Sequence, residues 1–149
     1  MKKTMLIVMM VIGFVLVLGC TTPPKPAAAS TTTDDAFRET YNRYKNDLIL
    51  EGAEKYTVVK GDMLSRISRT KYNNGFYFPV IMLASSDVVL DHDKIEPGMV
   101  LTIPNLQRNL DDPKAHAAIK KVLVDIAKIE DNRGRPQDAD GLRNLANSL

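Results

Sequence analysis

The sequence predicts an α+β protein in which a small module of order strand, helix, helix, strand is flanked by amphipathic helices. Two short segments rich in β-forming residues lie at the ends of the stretch from Tyr56 to Pro104, and each adjoins a turn signal. Two helix-sized segments lie between these strands. On both sides of the module, apolar residues recur at helical spacing. A chain of 149 residues has room for one or two such small domains.

The first strand is predicted over Tyr56–Val59, where the side chains alternate between two faces. Gly61 ends this strand. Asp62 is then expected to cap a helix, because its carboxylate can accept from the unpaired N–H groups near Leu64 and Ser65.

The middle of the module is predicted to hold two helices. The first carries three residues at helical spacing, Leu64, Ile67 and Ser68, and ends at the turn signal of residues 73–75. The second begins at Pro79, which a first helical turn tolerates, and ends around residues 85–87.

The last strand follows Pro97 and Gly98, the order that a type II turn needs because its third position takes a positive φ. Leu101 and Ile103 are expected on one face of this strand. The predicted module therefore begins and ends with a short strand next to a turn.

Both ends of this stretch carry a recognisable motif. Residues 56–67 read Tyr-x-Val-x-x-Gly-Asp-x-Leu-x-x-Ile, and residues 95–104 read Ile-x-Pro-Gly-x-x-Leu-x-Ile-Pro. The stretch resembles the lysin motif (LysM) family, in the variant with an extended turn between the helices. The resemblance implies a βααβ module with a two-stranded antiparallel sheet over residues 55–105. It also implies binding of N-acetylglucosamine-containing glycans, chiefly peptidoglycan, without catalysis.

The resemblance places the glycan in a shallow groove between two loops, where backbone groups pair with the acetamido group and Leu64 and Ile95 enclose its methyl. Two positions depart from the family pattern: Met63 stands where Thr or Ser is usual, and Ser85 where Asn is usual. The implied glycan-binding residues are Gly61, Asp62, Met63, Leu64, Ser85, Ser86, Asp87 and Ile95.

The N-terminus predicts a lipoprotein signal peptide over residues 1–19. Lys2 and Lys3 precede an apolar run that is shorter than the ~20 residues of a membrane span. The run ends in Val-Leu-Gly-Cys, which looks like a lipobox, so Cys20, the lone cysteine, is the expected lipidation site. The alternative is an ordinary signal peptide. Residues 20–35 are expected to form the lipidated cysteine and a flexible linker.

Amphipathic helices are predicted before and after the module. Over residues 36–54, with Gly52 as the helix end, an apolar stripe comprises Phe37, Tyr41, Tyr44 and Leu48. This stripe is expected to pack in the core, and a sugar-stacking platform is the alternative. Over residues 106–149, Asp112 and Pro113 begin one helix, and a second is expected over residues 140–149. These helices are expected to cap the module, or alternatively to dock a partner protein.

Composition argues against other functions. Without Lys2 and Lys3 the mature chain carries no net charge, so no nucleic-acid partner is expected. Residues 87–93 hold three aspartates and His92 but match no cation-ligand spacing, so no metal and no cofactor are expected. No motif of a catalytic nucleophile, zinc protease or phosphate loop is present, so the chain is not expected to be an enzyme.

Two functions remain open at this point. The first is a peptidoglycan-binding lipoprotein that tethers a membrane to the cell wall. If the cell has two membranes, the expected location is the periplasmic face of the outer membrane. The second is an envelope scaffold whose module has lost its glycan and whose helices bind a protein or regulate a wall hydrolase. Met63 and Ser85 motivate this alternative.

Overall fold

A two-stranded sheet and six α-helices make up the part of the chain that the computed structural model describes, residues 28–149, with side chains from residue 33 onward. Their order is α1 (Ala28–Tyr44), β1 (Glu54–Thr57), α2 (Leu64–Tyr72), α3 (Phe78–Ala84), β2 (Val100–Ile103), α4 (Leu106–Asp111), α5 (Pro113–Asn132) and α6 (Pro136–Ser148). The predicted signal peptide, Cys20 and the first part of the predicted linker lie outside the described residues. Residues 28–35 of that linker belong to α1, so the helix begins eight residues before its predicted start and the prediction of a linker there is wrong. Within those residues, no helix combines the length and apolar character that a membrane span requires.

The sheet confirms the predicted α+β class. β1 and β2 pair antiparallel from Glu54 opposite Ile103 to Thr57 opposite Val100. The pairing continues beyond the strands, since the Val58 N–H donates to the Met99 carbonyl at 2.8 Å. Gly98 takes a φ of 95°, as the predicted turn requires. Leu101 and Ile103 face the core together, as their alternation predicted.

The start of α2 differs from the prediction. The N-cap residue is Met63, and no side chain caps the helix there. The Asp62 carboxylate instead accepts from the Val59 N–H and the Tyr56 hydroxyl, both at 2.9 Å. Gly61, at φ 92°, turns the chain back so that these two donors come within reach of Asp62. The expectation that Asp62 caps the helix is therefore wrong.

α3 is the central helix of the module. It begins at Phe78 with Pro79 in its first turn, and its residues from Phe78 to Leu83 are buried. Before it, a 3₁₀ turn over Gly75–Tyr77 is held by Asn74, whose side chain accepts from the Phe76 N–H at 2.9 Å. The extended turn predicted between the two helices is this segment.

α1 packs its aromatic stripe into the core, which confirms the packing interpretation for Phe37 and Tyr41. The helix ends at Tyr44, however, and a 3₁₀ turn over Lys45–Asp47 follows. The buried Asn109 side chain explains the difference, because its oxygen accepts from the Ile49 N–H at 2.8 Å and its nitrogen donates to the Ile49 carbonyl at 2.9 Å. These bonds occupy backbone groups that a longer helix would need. The prediction that this helix extends to Gly52 is wrong.

α5 and α6 form a helical pair that covers the module. Asp112 caps α5 as expected, accepting from the Lys114 and Ala115 N–H groups at 3.0 and 2.8 Å. α6 begins at Pro136, four residues before its predicted start, and meets the module at Gly141, against the ring of Phe76. Buried residues of α1, the module, α5 and α6 belong to one continuous core. The flanking helices therefore complete a core that the module alone is too small to bury.

Candidate functional site

The first predicted glycan loop lies between β1 and α2 and is locked by hydrogen bonds. Gly61 is exposed, and Asp62 is tied to Tyr56 and Val59 as described. The hydrogen bond to Asp62, with a smaller contribution from burial, raises the pKa of the Tyr56 hydroxyl. The Met63 side chain is 55% exposed beside these groups. The loop thus presents a fixed backbone and two exposed apolar side chains, Val59 and Met63, to solvent.

Leu64 occupies a different environment from the rest of this loop. Its side chain is 2% exposed and belongs to the core under α2. The structure shows no exposed surface on Leu64 that would reach a bound sugar without a shift of its neighbours. Its expected contact with the acetamido methyl stays a prediction.

The second predicted loop follows α3, and Ser85 anchors it. The Ser85 Oγ accepts from the Thr102 N–H at 2.9 Å and donates to the Thr102 carbonyl at 3.3 Å, so the side chain faces β2 and is buried. Its backbone carbonyl accepts from Val88 and Val89, each at 2.8 Å. Ser85 therefore joins the loop to the sheet, whereas a role in binding glycan stays a prediction.

The remaining residues of the second loop are more accessible. Ser86 and Ile95 are half-buried, and Asp87 is exposed. Val88, which was not among the predicted site residues, is 43% exposed in this loop. An apolar residue beside Asp87 in a loop was the signal that could have identified it. Each loop therefore has exposed apolar side chains, Val59 and Met63 in the first and Val88 in the second.

The acidic end of the second loop is held by arginines. Arg133 makes a two-pronged pair with Asp91, with both nitrogen–oxygen distances at 3.1 Å, and contacts Asp93 at 2.7 Å. Arg135 also pairs with Asp93. We call these residues, with His92 and Glu130, the loop clamp. It attaches the loop before Ile95 to the end of α5.

Glu130 is the buried member of the loop clamp. Its side chain is fully buried, and its Oε1 lies 3.1 Å from the His92 Nε2. Burial by itself raises the pKa of this carboxyl, but the hydrogen bond to His92 and the charges of Arg133 and Arg135 outweigh it, so the pKa lies below its ordinary value. The sequence contained a signal for this residue, because Glu130 lies four residues after Ile126 on the apolar face of α5.

The clamp also determines what the acidic residues can bind. Asp91, His92 and Asp93 bring three ligand atoms within 4.8 Å of one another, the arrangement of a small cation site. The two guanidinium groups already occupy these carboxylates, and burial, which raises the pKa of Asp93, is outweighed by Arg135, His92 and Arg133, which lower it. A cation would have to displace both arginines. The arrangement is suited to fixing the loop.

Comparison with known proteins agrees with this geometry. Residues 56–104 match the LysM domain, and the structure there is a LysM-type βααβ core. Such domains bind peptidoglycan-type glycans, which suggests a binding protein and not an enzyme.

The same segment is similar to part of one curated protein. That protein is the potassium binding protein Kbp of Escherichia coli O6:H1, with 45% identity over 49 residues. The match covers 33% of this chain. The chain spans about a third of the relative's length, 33%. No solved structure matches the chain significantly.

Proposed function

We propose that this protein is a non-catalytic peptidoglycan-binding lipoprotein of the cell envelope. The observation that carries the proposal is the pair of rigid loops of the LysM domain, one fixed by Asp62 and the other by Ser85 and the loop clamp. Between these fixed points, Met63 and Val88 are exposed. Loops that keep one conformation lose little entropy when they bind a sugar.

The proposal includes an anchor at Cys20. The lipobox pattern supports lipidation at this residue, and the segment from Thr21 to the start of α1 would space the domain from the membrane. A single small module is expected to bind glycan weakly. A lipid tether confines it beside the wall, where its effective concentration reaches about the millimolar range. Anchor and module together would link the membrane to the wall.

Retention on purified sacculi tests the glycan part of this proposal. The protein from Thr21 onward keeps all of the buried core residues and lacks the proposed lipid site, and we expect sacculi to retain it. Met63→Arg with Val88→Arg places a bulky charge on both loops at exposed positions and should abolish retention. Ala117→Arg, at an exposed position of α5, is the matched control and should be retained. Equal retention of the loop variant and the control would exclude these loops as the binding site.

Labelling with a fatty-acid analogue tests the anchor separately. The full chain should incorporate the label, and Cys20→Ala should not. Label on the Cys20→Ala variant would place the acyl chain elsewhere, whereas an unlabelled full chain would remove the tether from the proposal.

A second candidate is an envelope scaffold that binds a protein through its helices. It is favoured by the inward orientation of Leu64 and Ser85, which removes two expected side chains from the groove. Cross-linking in cells would then recover one protein partner while sacculi retain nothing.

The relative's name raises potassium as another ligand. Asp91 and Asp93 of the second loop are already paired with Arg133 and Arg135, which repel a cation. We therefore propose a glycan as the ligand of these loops. A change in the melting temperature with potassium, but not with sodium at equal ionic strength, would contradict this choice.

A further inference from the structure

A cleft of about 380 Å³ lies between α1 and the second glycan loop. Its volume falls in the range of ~300–1,000 Å³ that small-ligand sites occupy. One wall comes from α1 and the turn that follows it, and the other from the end of α3 and the loop beyond. Ser86 and Asp87 belong both to this cleft and to the predicted glycan loop. A glycan on that loop would therefore lie beside the opening of the cleft.

The wall formed by α1 and the turn after it carries two cationic side chains without counterions. Arg38 and Lys45 both line the cleft, and neither forms an ion pair with any residue in the described part of the chain. Other cations near this helix are paired, as Arg43 is with Glu39 and Asp125. Asn42 and Asn46 line the same wall and add amide groups. The wall is therefore equipped to bind an anionic, hydrogen-bonding group.

The opposite wall adds one negative charge. Asp87 is exposed at the edge of the cleft and forms no ion pair among residues 33–149. A ligand that complements the whole cleft would carry carboxylates towards α1 and an amino group towards Asp87. Peptides rich in acidic and diamino residues have this distribution of charge.

A larger cavity elsewhere is lined by no charged side chain that lacks a partner in the described part of the chain. It measures about 580 Å³ and lies at the far end of the sheet, between α2 and α4. Its charged residues Lys71 and Glu54 pair with each other. The smaller cleft is thus the better candidate for a charged ligand.

We propose that the cleft is a subsite for the acidic peptide attached to peptidoglycan, with Arg38 and Lys45 binding its carboxylates. This inference rests on the proposed glycan-binding function and makes it more specific, because the ligand becomes a peptide-bearing glycan. Charge-assisted hydrogen bonds from a guanidinium and an ammonium group to carboxylates are about twice as strong as neutral ones. The α1 helix thereby extends the recognition surface beyond the LysM domain.

The test compares two soluble ligands on the full chain in detergent. One is a neutral, peptide-free N-acetylglucosamine tetramer, and the other is a peptidoglycan fragment that carries its peptide with free carboxylates. We expect the wild type to bind the peptide-bearing fragment roughly tenfold more tightly, because two charged contacts are added. Arg38→Gln with Lys45→Gln should lose this preference and retain its affinity for the tetramer. Lys120→Gln with Lys121→Gln, which removes two exposed lysines of α5, is the charge-matched control and should behave as wild type.

The outcomes separate the two levels of the proposal. If the tetramer binds but Arg38→Gln with Lys45→Gln leaves the preference for the peptide unchanged, the subsite is refuted and the glycan site stands. If neither ligand binds, the proposed function fails and the subsite fails with it. A fragment whose carboxylates are amidated should bind no better than the tetramer, and a retained preference for it would also refute the role of charge.

Discussion

The uncapped start of α2 allows a test of how residues 56–104 depart from the LysM pattern. Met63 has the extended backbone of an N-cap residue, with φ −131° and ψ 139°, and its carbonyl accepts from the Arg66 and Ile67 N–H groups at 2.9 Å. Its side chain offers no oxygen to the first amides of the helix. Met63→Ser adds such an acceptor, whereas Met63→Ala removes the same thioether without adding one. Serine at an N-cap stabilises by about 1 kcal/mol relative to alanine.

The comparison of serine with alanine isolates the cap from the loss of methionine contacts. We expect the free energy of unfolding in urea to be about 1 kcal/mol greater for Met63→Ser than for Met63→Ala. In a domain of this size, that difference corresponds to a melting temperature higher by about 4 °C. Equal stability of the two variants would refute the assignment of Met63 as the N-cap.

A control pair excludes a general effect of serine on this loop. Lys60 is exposed and lies before Gly61, outside the helix. Lys60→Ser and Lys60→Ala should therefore agree within about 0.5 kcal/mol. Retention of Met63→Ser on sacculi then tests whether the methionine side chain contributes to glycan binding. A cap alone would leave retention unchanged or improved, so reduced retention would indicate a contact made by methionine.

Three further substitutions test the contacts that hold the module to its helices. Glu130→Gln should lower stability at pH 7 by about 1–3 kcal/mol, because it removes a buried carboxylate that pairs with Arg133 and Arg135, although both arginines keep Asp93. Because the folded-state pKa of Glu130 is depressed, the wild type should lose this advantage as the pH falls below the ordinary value of 4.5, and melting curves of the variant should depend less on acid. Gly141→Ala should destabilise by roughly 1–3 kcal/mol in urea, although alanine favours helices, since its Cβ would overlap the Phe76 ring; a stabilised variant would contradict this packing. Tyr41→Phe should cost about 1–2 kcal/mol in the same assay, because the Leu90 carbonyl loses the hydroxyl that donates to it at 3.0 Å, and an unchanged midpoint would refute that role.

The parts of the fold that were predictable from the sequence depend on contacts between residues close in the chain. A positive φ at Gly98, a proline in the first turn of α3 and the alternation of Leu101 and Ile103 are each set within a few residues. The family motif at both ends of the module then fixed which strands pair. Local chemistry and the motif therefore led to the same βααβ order.

The errors arose where distant or competing partners decided the outcome. Asp62 had two sets of donors within reach, and the Tyr56 hydroxyl, six residues away, favoured the set outside the helix. α1 ends early because Asn109, 60 residues further along the chain, binds the backbone of Ile49. The loop clamp joins residues about 40 positions apart, such as Asp91 and Arg133. Helical spacing and turn signals carry no information about such pairs.

The second predicted loop is held by contacts from outside the LysM domain. On one side, the Tyr41 hydroxyl of α1 donates to the Leu90 carbonyl. On the other side, Arg133, which follows α5, forms an ion pair with Asp91. A loop fixed from both sides loses little conformational freedom on binding, so the helices can raise the affinity of a weak module without contacting the sugar. The same packing of α1 forms the cleft beside Asp87. Stabilising the second predicted loop and building the proposed peptide subsite would therefore be two consequences of one helix position.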